Sequence, residues 1–278
     1  MQEKKVIDLI IDFHTHIFPE KIAERAIASL EKNIHNRFRS DVRAVIGGTM
    51  DALTSSMAEN NIDISVVMPI ATTLTQSGSI NKFAKIVNET ENLFSFGSLH
   101  PMQKDWESVL YDIKEKGLSG IKLHPEYQQF YIDSEESLRV LKKCEELSLT
   151  VVLHAGKDHG VDPPVHCMPE RLRHALCYVS GKNIVAAHLG GWDAWDDVEK
   201  YLVGTNVYFD TAFTVDFINR EQLLRIIKNH GSKKILYGTD SPWEKQSHAA
   251  MVLRALPISE DEKDDIFYKN AQKLLKID

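Results

Sequence analysis

The sequence predicts a (β/α)8 TIM barrel spanning residues 1–278 as one domain, and three observations carry that expectation. Eight short apolar runs rich in β-formers recur along the chain, longer helical patterns separate them, and four of the runs end in histidine or aspartate. Strands alternating with helices imply βαβ units and a parallel sheet. Eight repeats favour closure over an open doubly wound sheet, and no glycine-rich phosphate turn follows the first run. At 278 residues the chain suits one barrel, and no Pro/Gly/Ser-rich linker marks a second domain.

In chain order the strand candidates are Val6–Phe13, Ile64–Pro69, Leu93–Leu99, Gly120–Leu123, Thr150–Leu153, Ile184–Ala187, Val207–Phe209 and Ile235–Tyr237. Several are nearly continuous apolar runs, as strands covered on both faces require. The segment from His16 to Ile64 exceeds one crossover and is expected to hold an extra helix or a loop over the barrel mouth. Ser134–Leu147 reads as a helix with Asp133 and Glu136 as a capping box. Glu221–Asn229 runs into Gly231, which suits a left-handed cap, and a charged helix, Glu260–Lys276, closes the chain.

Composition excludes several classes. Hydrophobic residues make up 43% and charged residues 26%, an ordinary globular mixture, and the net charge is −7. An acidic chain without a basic tract or finger spacing is not expected to bind nucleic acid or an anionic membrane. The run Val6–Phe13 is too short and, with Asp8 and Asp12, too acidic for a signal peptide or membrane span. Cys144, Cys167 and Cys177 form no CxxC pair and read as free thiols in a reducing compartment. A cytoplasmic protein is expected.

The chemistry gathers at the C-terminal strand ends, where barrel enzymes place their active sites. The first run ends His14-Thr15-His16, and residues two apart on an extended chain face one side. His154 follows the fifth run, His188 the sixth, and Asp240 the eighth. Neutral imidazole and carboxylate suit zinc above all, with manganese or iron as other takers. A single histidine after a strand is more often a packed loop residue; the joint placement of five such groups favours a divalent metal.

Lys122 lies inside the fourth apolar run, where a lysine needs a partner or a shifted pKa. Two readings stay open: a structural ion pair with Asp210 or Glu126, or an amine that takes up carbon dioxide and bridges two metals. His124 shares its strand face and is a substrate-binding candidate, as are Trp243 beyond Asp240 and Lys157 in the polar loop after His154. Arg171 is a second cation for a substrate carboxylate. His100 reads as a loop residue with a backbone hydrogen bond, Asp12 as a support, and Asp210 as a support or substrate contact.

These phrases, with Gly120-Ile121-Lys122-Leu123-His124-Pro125, Tyr237-Gly238-Thr239-Asp240 and Asn270-Ala271-Gln272-Lys273-Leu274, resemble the amidohydrolase superfamily, especially its amidohydrolase-related (amidohydrolase 2) branch. That branch holds both decarboxylases and lactone hydrolases. The resemblance implies that His14, His16, His154 and Asp240 hold a metal, with His188 catalytic in one-metal members and a ligand in two-metal members. Lys122 would then be the carboxylated bridge of a two-ion site, as in the similar Lys-Leu-Tyr-Pro phrase of some dihydroorotases, so one or two ions are expected. The family is also the only ground for expecting a homodimer.

The leading expectation is hydrolysis of a small amide, cyclic amide, ester or lactone, with Asp240 moving the proton of a water whose pKa a divalent metal lowers to roughly 7. The alternative is nonoxidative decarboxylation of an unsaturated or aromatic acid, with His188 protonating carbon. A non-catalytic metal protein is the third class, and it leaves Asp240 without a purpose.

Overall fold

The computed structural model of the protein describes residues 9–38 and 42–277. Its strands are β1 (Ile11–Thr15), β2 (Ile64–Val67), β3 (Leu93–Ser95), β4 (Gly120–Leu123), β5 (Thr150–Leu153), β6 (Ile184–Ala186), β7 (Tyr208–Asp210) and β8 (Ile235–Leu236). All pair in parallel, β1 to β3 in one set and β4 to β8 in the other. Both seams are bonded. The Gly97 and Lys122 N–H groups donate to Gly120 O and Gly97 O at 2.8 Å each, and the Phe13 and Asp240 N–H groups donate to Tyr237 O and His14 O at 2.8 Å each. The eight strands therefore close into the expected barrel.

The helices that cover it are α1 (Glu20–Phe38), α2 (Met50–Asn60), α3 (Ser77–Asn88), α4 (Trp106–Glu115), α5 (Pro125–Gln128), α6 (Glu135–Leu147), α7 (Pro169–Ala175), α8 (Trp195–Tyr201), α9 (Arg220–His230), α10 (Gln246–Arg254), α11 (Glu260–Asp264) and α12 (Asn270–Leu275). The long segment after His16 holds two helices, α1 and α2.

The apolar residues divide by strand face. Val152, Val185, Tyr208 and Leu236 fill the barrel interior with Ile11, Phe13, Val66 and Phe96, and Leu274 and Leu275 of α12 join them. Their neighbours Val151, Leu153, Ile184, Phe209 and Ile235 face the helices. Because strand side chains alternate, the interior line continues from Val152 to His154 and from Tyr208 to Asp210. Apolar packing thus fills one end of the barrel, and polar groups emerge at the C-terminal end.

Several boundaries differ from expectation for physical reasons. The first strand begins at Ile11 and carries His14 within it, and Val6–Asp8 of the expected run lie outside the described residues. Asp133 does not cap α6. The Ser134 hydroxyl accepts from Ser137 N, while Asp133 pairs with Arg171 and His174. Gly231 has φ +96° but an extended ψ of 130°, so it ends α9 without a left-handed helical turn. The closing helix is interrupted by a π-helical turn over Asp265–Lys269, and its capping box is Ser259 with Glu262.

Candidate metal centre

Backbone strain places two of the key side chains. His188 (φ +59°) and Asp240 (φ +63°) both adopt the left-handed conformation, which costs a non-glycine residue on the order of 1–3 kcal/mol unless its surroundings impose it. For His188 the restraint is Asp210, whose Oδ1 accepts from the His188 and Ala212 N–H groups at 2.8 and 3.1 Å. Around Asp240 it is the buried Asp12, which accepts from Thr239 N (3.0 Å), Thr239 Oγ1 (2.6 Å) and Gln246 Nε2 (2.8 Å). Burial pushes the Asp12 carboxyl up to about 7 despite these bonds. Gly238 is required by proximity, since a Cβ there would lie 2.9 Å from His14 Cβ.

The histidine tautomers follow from what each ring already touches. His16 Nδ1 faces Met68 O at 2.9 Å and His188 Nδ1 faces Ala212 O at 2.9 Å. Carbonyls only accept, so both Nδ1 atoms carry a proton, and Nε2 is the atom each ring would offer to a metal. His14 Nδ1 donates to Asp210 Oδ2 at 2.8 Å, leaving its Nε2 as the atom to offer as well. His154 is reversed: its Nε2 faces Lys157 O at 3.1 Å, and its Nδ1 is bare. Burial first, and then Lys122 beside His14 and His124 beside His154, holds both rings well below the usual imidazole pKa and so neutral.

The candidate ligand atoms converge. His14 Nε2 and His16 Nε2 lie 3.1 Å apart, and Asp240 Oδ1 stands 3.4 and 3.0 Å from them. Burial works against the Asp240 charge, but a hydrogen bond from the His16 ring more than offsets it, so the carboxylate stays ionised. With metal–ligand bonds of about 2.1 Å, neighbouring ligands around an ion lie roughly 3.0 Å apart in an octahedron and 3.4 Å in a tetrahedron. The separations of His14 Nε2, His16 Nε2 and Asp240 Oδ1 fall within that range. The donor set therefore fits a divalent metal.

His154 Nδ1 and His188 Nε2 form a second pair at 3.0 Å, and the His188 ring centre lies 5.5 Å from that of His14. His154 also groups with His124 and Asp158, whose donor atoms all lie within 4.8 Å of one another. The five expected ligands thus divide into a compact trio, His14–His16–Asp240, and an adjoining pair. Lys122 lies between elements of both; its Nζ is 3.0 Å from His14 Nε2. The ion pairs considered for it go elsewhere, since Glu126 pairs with His166 and Asp210 with His14. Burial lowers the Lys122 pKa to about 8, with Asp210, Asp240 and Asp158 opposing.

A cavity of about 740 Å³ opens over these groups. His124 forms part of its wall, stacked between Tyr127 (3.8 Å, 5°) and His154 (4.2 Å, 12°). Trp243, Trp192 and Phe213 supply further rings, and Ile22, Leu30 and Ile34 of α1 line it as well. Lys157 lines it too, with its ammonium 2.7 Å from Asp193. Gly156 (φ +82°) brings that loop against Trp192, where a Cβ would lie 2.2 Å from Trp192 N. Arg171 is paired with Asp133, and His100 Nδ1 accepts from the Met102 backbone, as expected of a loop residue. The sequence reading missed Tyr127, Phe213 and the α1 residues. Tyr127, three residues past His124, had a local signal, whereas the others arrive by tertiary packing.

The amidohydrolase family's sequence model matches residues 11–277. The chain belongs to the amidohydrolase family. This amidohydrolase is accordingly an enzyme of that superfamily, in the branch its motifs resembled. None of the curated proteins matches it. Among solved structures it is similar to a 2,6-dihydroxybenzoate decarboxylase complexed with 2,6-dihydroxybenzoate (13% identity, TM-score 0.69, covering 97% of this chain and 99% of that one). A dihydroxybenzoic acid decarboxylase from Polaromonas sp. JS666, with bound manganese and the inhibitor 2-nitroresorcinol, is 16% identical (TM-score 0.68, 96% and 97% covered). A 5-carboxyvanillate decarboxylase from Sphingomonas paucimobilis is 14% identical (TM-score 0.68, 97% and 99% covered). At these identities the likeness carries the fold. Among the described residues no helix is long and apolar enough to cross a membrane.

Proposed function

We propose that this amidohydrolase is a divalent-metal-dependent, nonoxidative decarboxylase of an aromatic or unsaturated carboxylic acid. The observation that carries the reading is the cavity wall: the stacked, near-parallel Tyr127, His124 and His154 rings, with Phe213 and Trp243 also lining the space, adjoin the donor cluster. A flat, conjugated acid suits such a wall, because offset ring stacking adds to apolar burial. The decarboxylases among its structural neighbours support the same choice over the hydrolysis that the residues alone favoured.

His14, His16 and Asp240 would hold the first ion, and His154 and His188 a second where one is bound. When present, the metal supplies a Lewis acid that fixes the substrate's oxygens and draws off negative charge. Lys122 adds positive charge where the carboxylate enters. Asp240, ionised and at the cluster's edge, takes up one proton from solvent and delivers it to the carbon that loses its carboxylate. The electron pair of the breaking carbon–carbon bond goes to that carbon, the proton follows, and carbon dioxide leaves. His188, its ring fixed by Ala212 O, stands by as a second proton carrier. Such transfer contributes about 10²–10⁴-fold.

Hydrolysis keeps one specific support, Lys122. Burial makes it a neutral amine in a good fraction of molecules near pH 8, and a neutral amine is what reacts with carbon dioxide to give a bridging carboxylate. A single assay separates the two. Manganese- or zinc-reconstituted enzyme is given hydroxybenzoates, unsaturated acids, lactones and cyclic amides, and both carbon dioxide and new carboxylate are followed. Carbon dioxide from an acid supports the proposal; ring opening of a lactone or amide without it favours hydrolysis.

A further inference from the structure

A second group of candidate ligands lies outside the chamber, behind Trp243. The loop after β7 brings Asp216, the loop after β8 brings Glu244, and the first turn of α10 brings His248. Their donor atoms all lie within 4.8 Å of one another around a separate cavity of about 340 Å³. His248 Nε2 is 2.8 Å from Asp216 Oδ1. Glu244 is the anomaly. It is only 8% exposed, and both of its carboxylate oxygens are buried without a hydrogen-bond partner. The nearby Phe213 N–H is directed at Thr239 O (3.3 Å) and eases the Glu244 charge little.

A buried carboxylate without partners is expensive in either protonation state. Ionised, it lacks a counter-charge; protonated, its O–H lacks an acceptor. We propose that Asp216, Glu244 and His248 form a second divalent-cation site, distinct from the catalytic cluster and built to take manganese or zinc. Two carboxylates and one neutral imidazole carry a charge of −2, which a divalent ion balances. A mixed oxygen and nitrogen donor set suits manganese or zinc better than calcium or magnesium, which prefer all-oxygen shells. Phe213 and Trp243 line this cavity and the substrate chamber alike. An ion here would therefore tie the β7 loop to α10 and stiffen the wall between them. Lys245, which also lines the cavity, is the rival cation.

The test is a manganese(II) titration of the full chain by equilibrium dialysis, with free ion read by electron paramagnetic resonance. Wild-type protein is expected to bind one more ion than Glu244→Gln, and His248→Ala should weaken that extra site by about 10–100-fold or more, the scale on which even supporting groups act. The Asp216 and His248 side chains are 58% and 37% exposed, so Asp216→Asn and His248→Ala keep the test open if Glu244→Gln does not fold. Equal stoichiometry and affinity in wild type and all variants would overturn the site. So would an extra ion that binds only when Lys245 is changed to alanine, because Lys245 would then be the resident cation.

Discussion

His14 Nε2 and His16 Nε2 face each other across 3.1 Å, the spacing of neighbouring ligands on one metal ion. Once both nitrogens are turned over to ligation, their lone pairs call for something positive between or beside them. Lys122 Nζ, 3.0 Å from His14 Nε2, satisfies one of the two. His14→Ala should therefore lose the ion at the His14–His16–Asp240 trio together with activity, and His154→Ala should lose activity and any second ion. Plasma emission measurement of metal per chain, beside the turnover of each variant, checks both.

The Asp210 carboxylate fixes the His14 tautomer through Nδ1 and the His188 backbone through its N–H. An asparagine there can still accept from His188 N, but its amide would donate toward His14 Nδ1. The His14 proton would then move to Nε2, the atom that should bind metal. Asp210→Asn is expected to weaken metal binding by about 10–100-fold while its circular dichroism stays native. Competition against a chromophoric chelator gives the affinity.

Asp240→Asn keeps the shape of the residue and removes its proton-accepting charge. Turnover should fall by about 10²–10⁴-fold, the usual contribution of a positioned general acid–base. The thermal midpoint should change little, because Asp12 and the His14 carbonyl hold the loop through Thr239, Gln246 and the Asp240 backbone. Steady-state kinetics beside a thermal melt separates this outcome from simple unfolding.

His230 is remote from the site and gives a stability test. Buried and stacked on Phe209, it accepts from Gly204 N at Nδ1 and donates to Val207 O through Nε2. Burial lowers its pKa to about 4 from 6.5. The unfolded chain therefore takes up the proton first as pH falls. The contribution is full above 6.5, is lost on the way down to about 4, and amounts to about 2 kcal/mol between pH 7 and pH 5. In His230→Gln the loss of unfolding free energy over that interval should be smaller by this amount, as urea titrations at the two pH values would read.

The sequence made the strands legible because each is a short apolar run bounded by turns, and the site because its ligands follow those runs. His14, His16, His188 and Asp240 could be placed at one barrel end without coordinates. The division of the ligands could not, because it depends on which ring nitrogen each neighbour occupies. Met68 O and Ala212 O decide that for His16 and His188, and no local pattern identifies a carbonyl as a partner. The surroundings of Lys122 were out of reach for the same reason: Asp210 and Glu126, the partners offered for an ion pair, are bonded to His14 and His166. Glu244 carries no signal in the sequence. Only packing shows that it is buried with nothing to hold.

The most direct test of a metal-dependent enzyme built on the His14–His16–Asp240 trio is elemental analysis of the purified, untagged protein, expressed as metal atoms per chain. At least one manganese or zinc per chain, retained through dialysis and missing from a His14→Ala/His16→Ala double variant, is the predicted result. No bound metal after reconstitution with both ions, or equal metal in wild type and double variant, would contradict it.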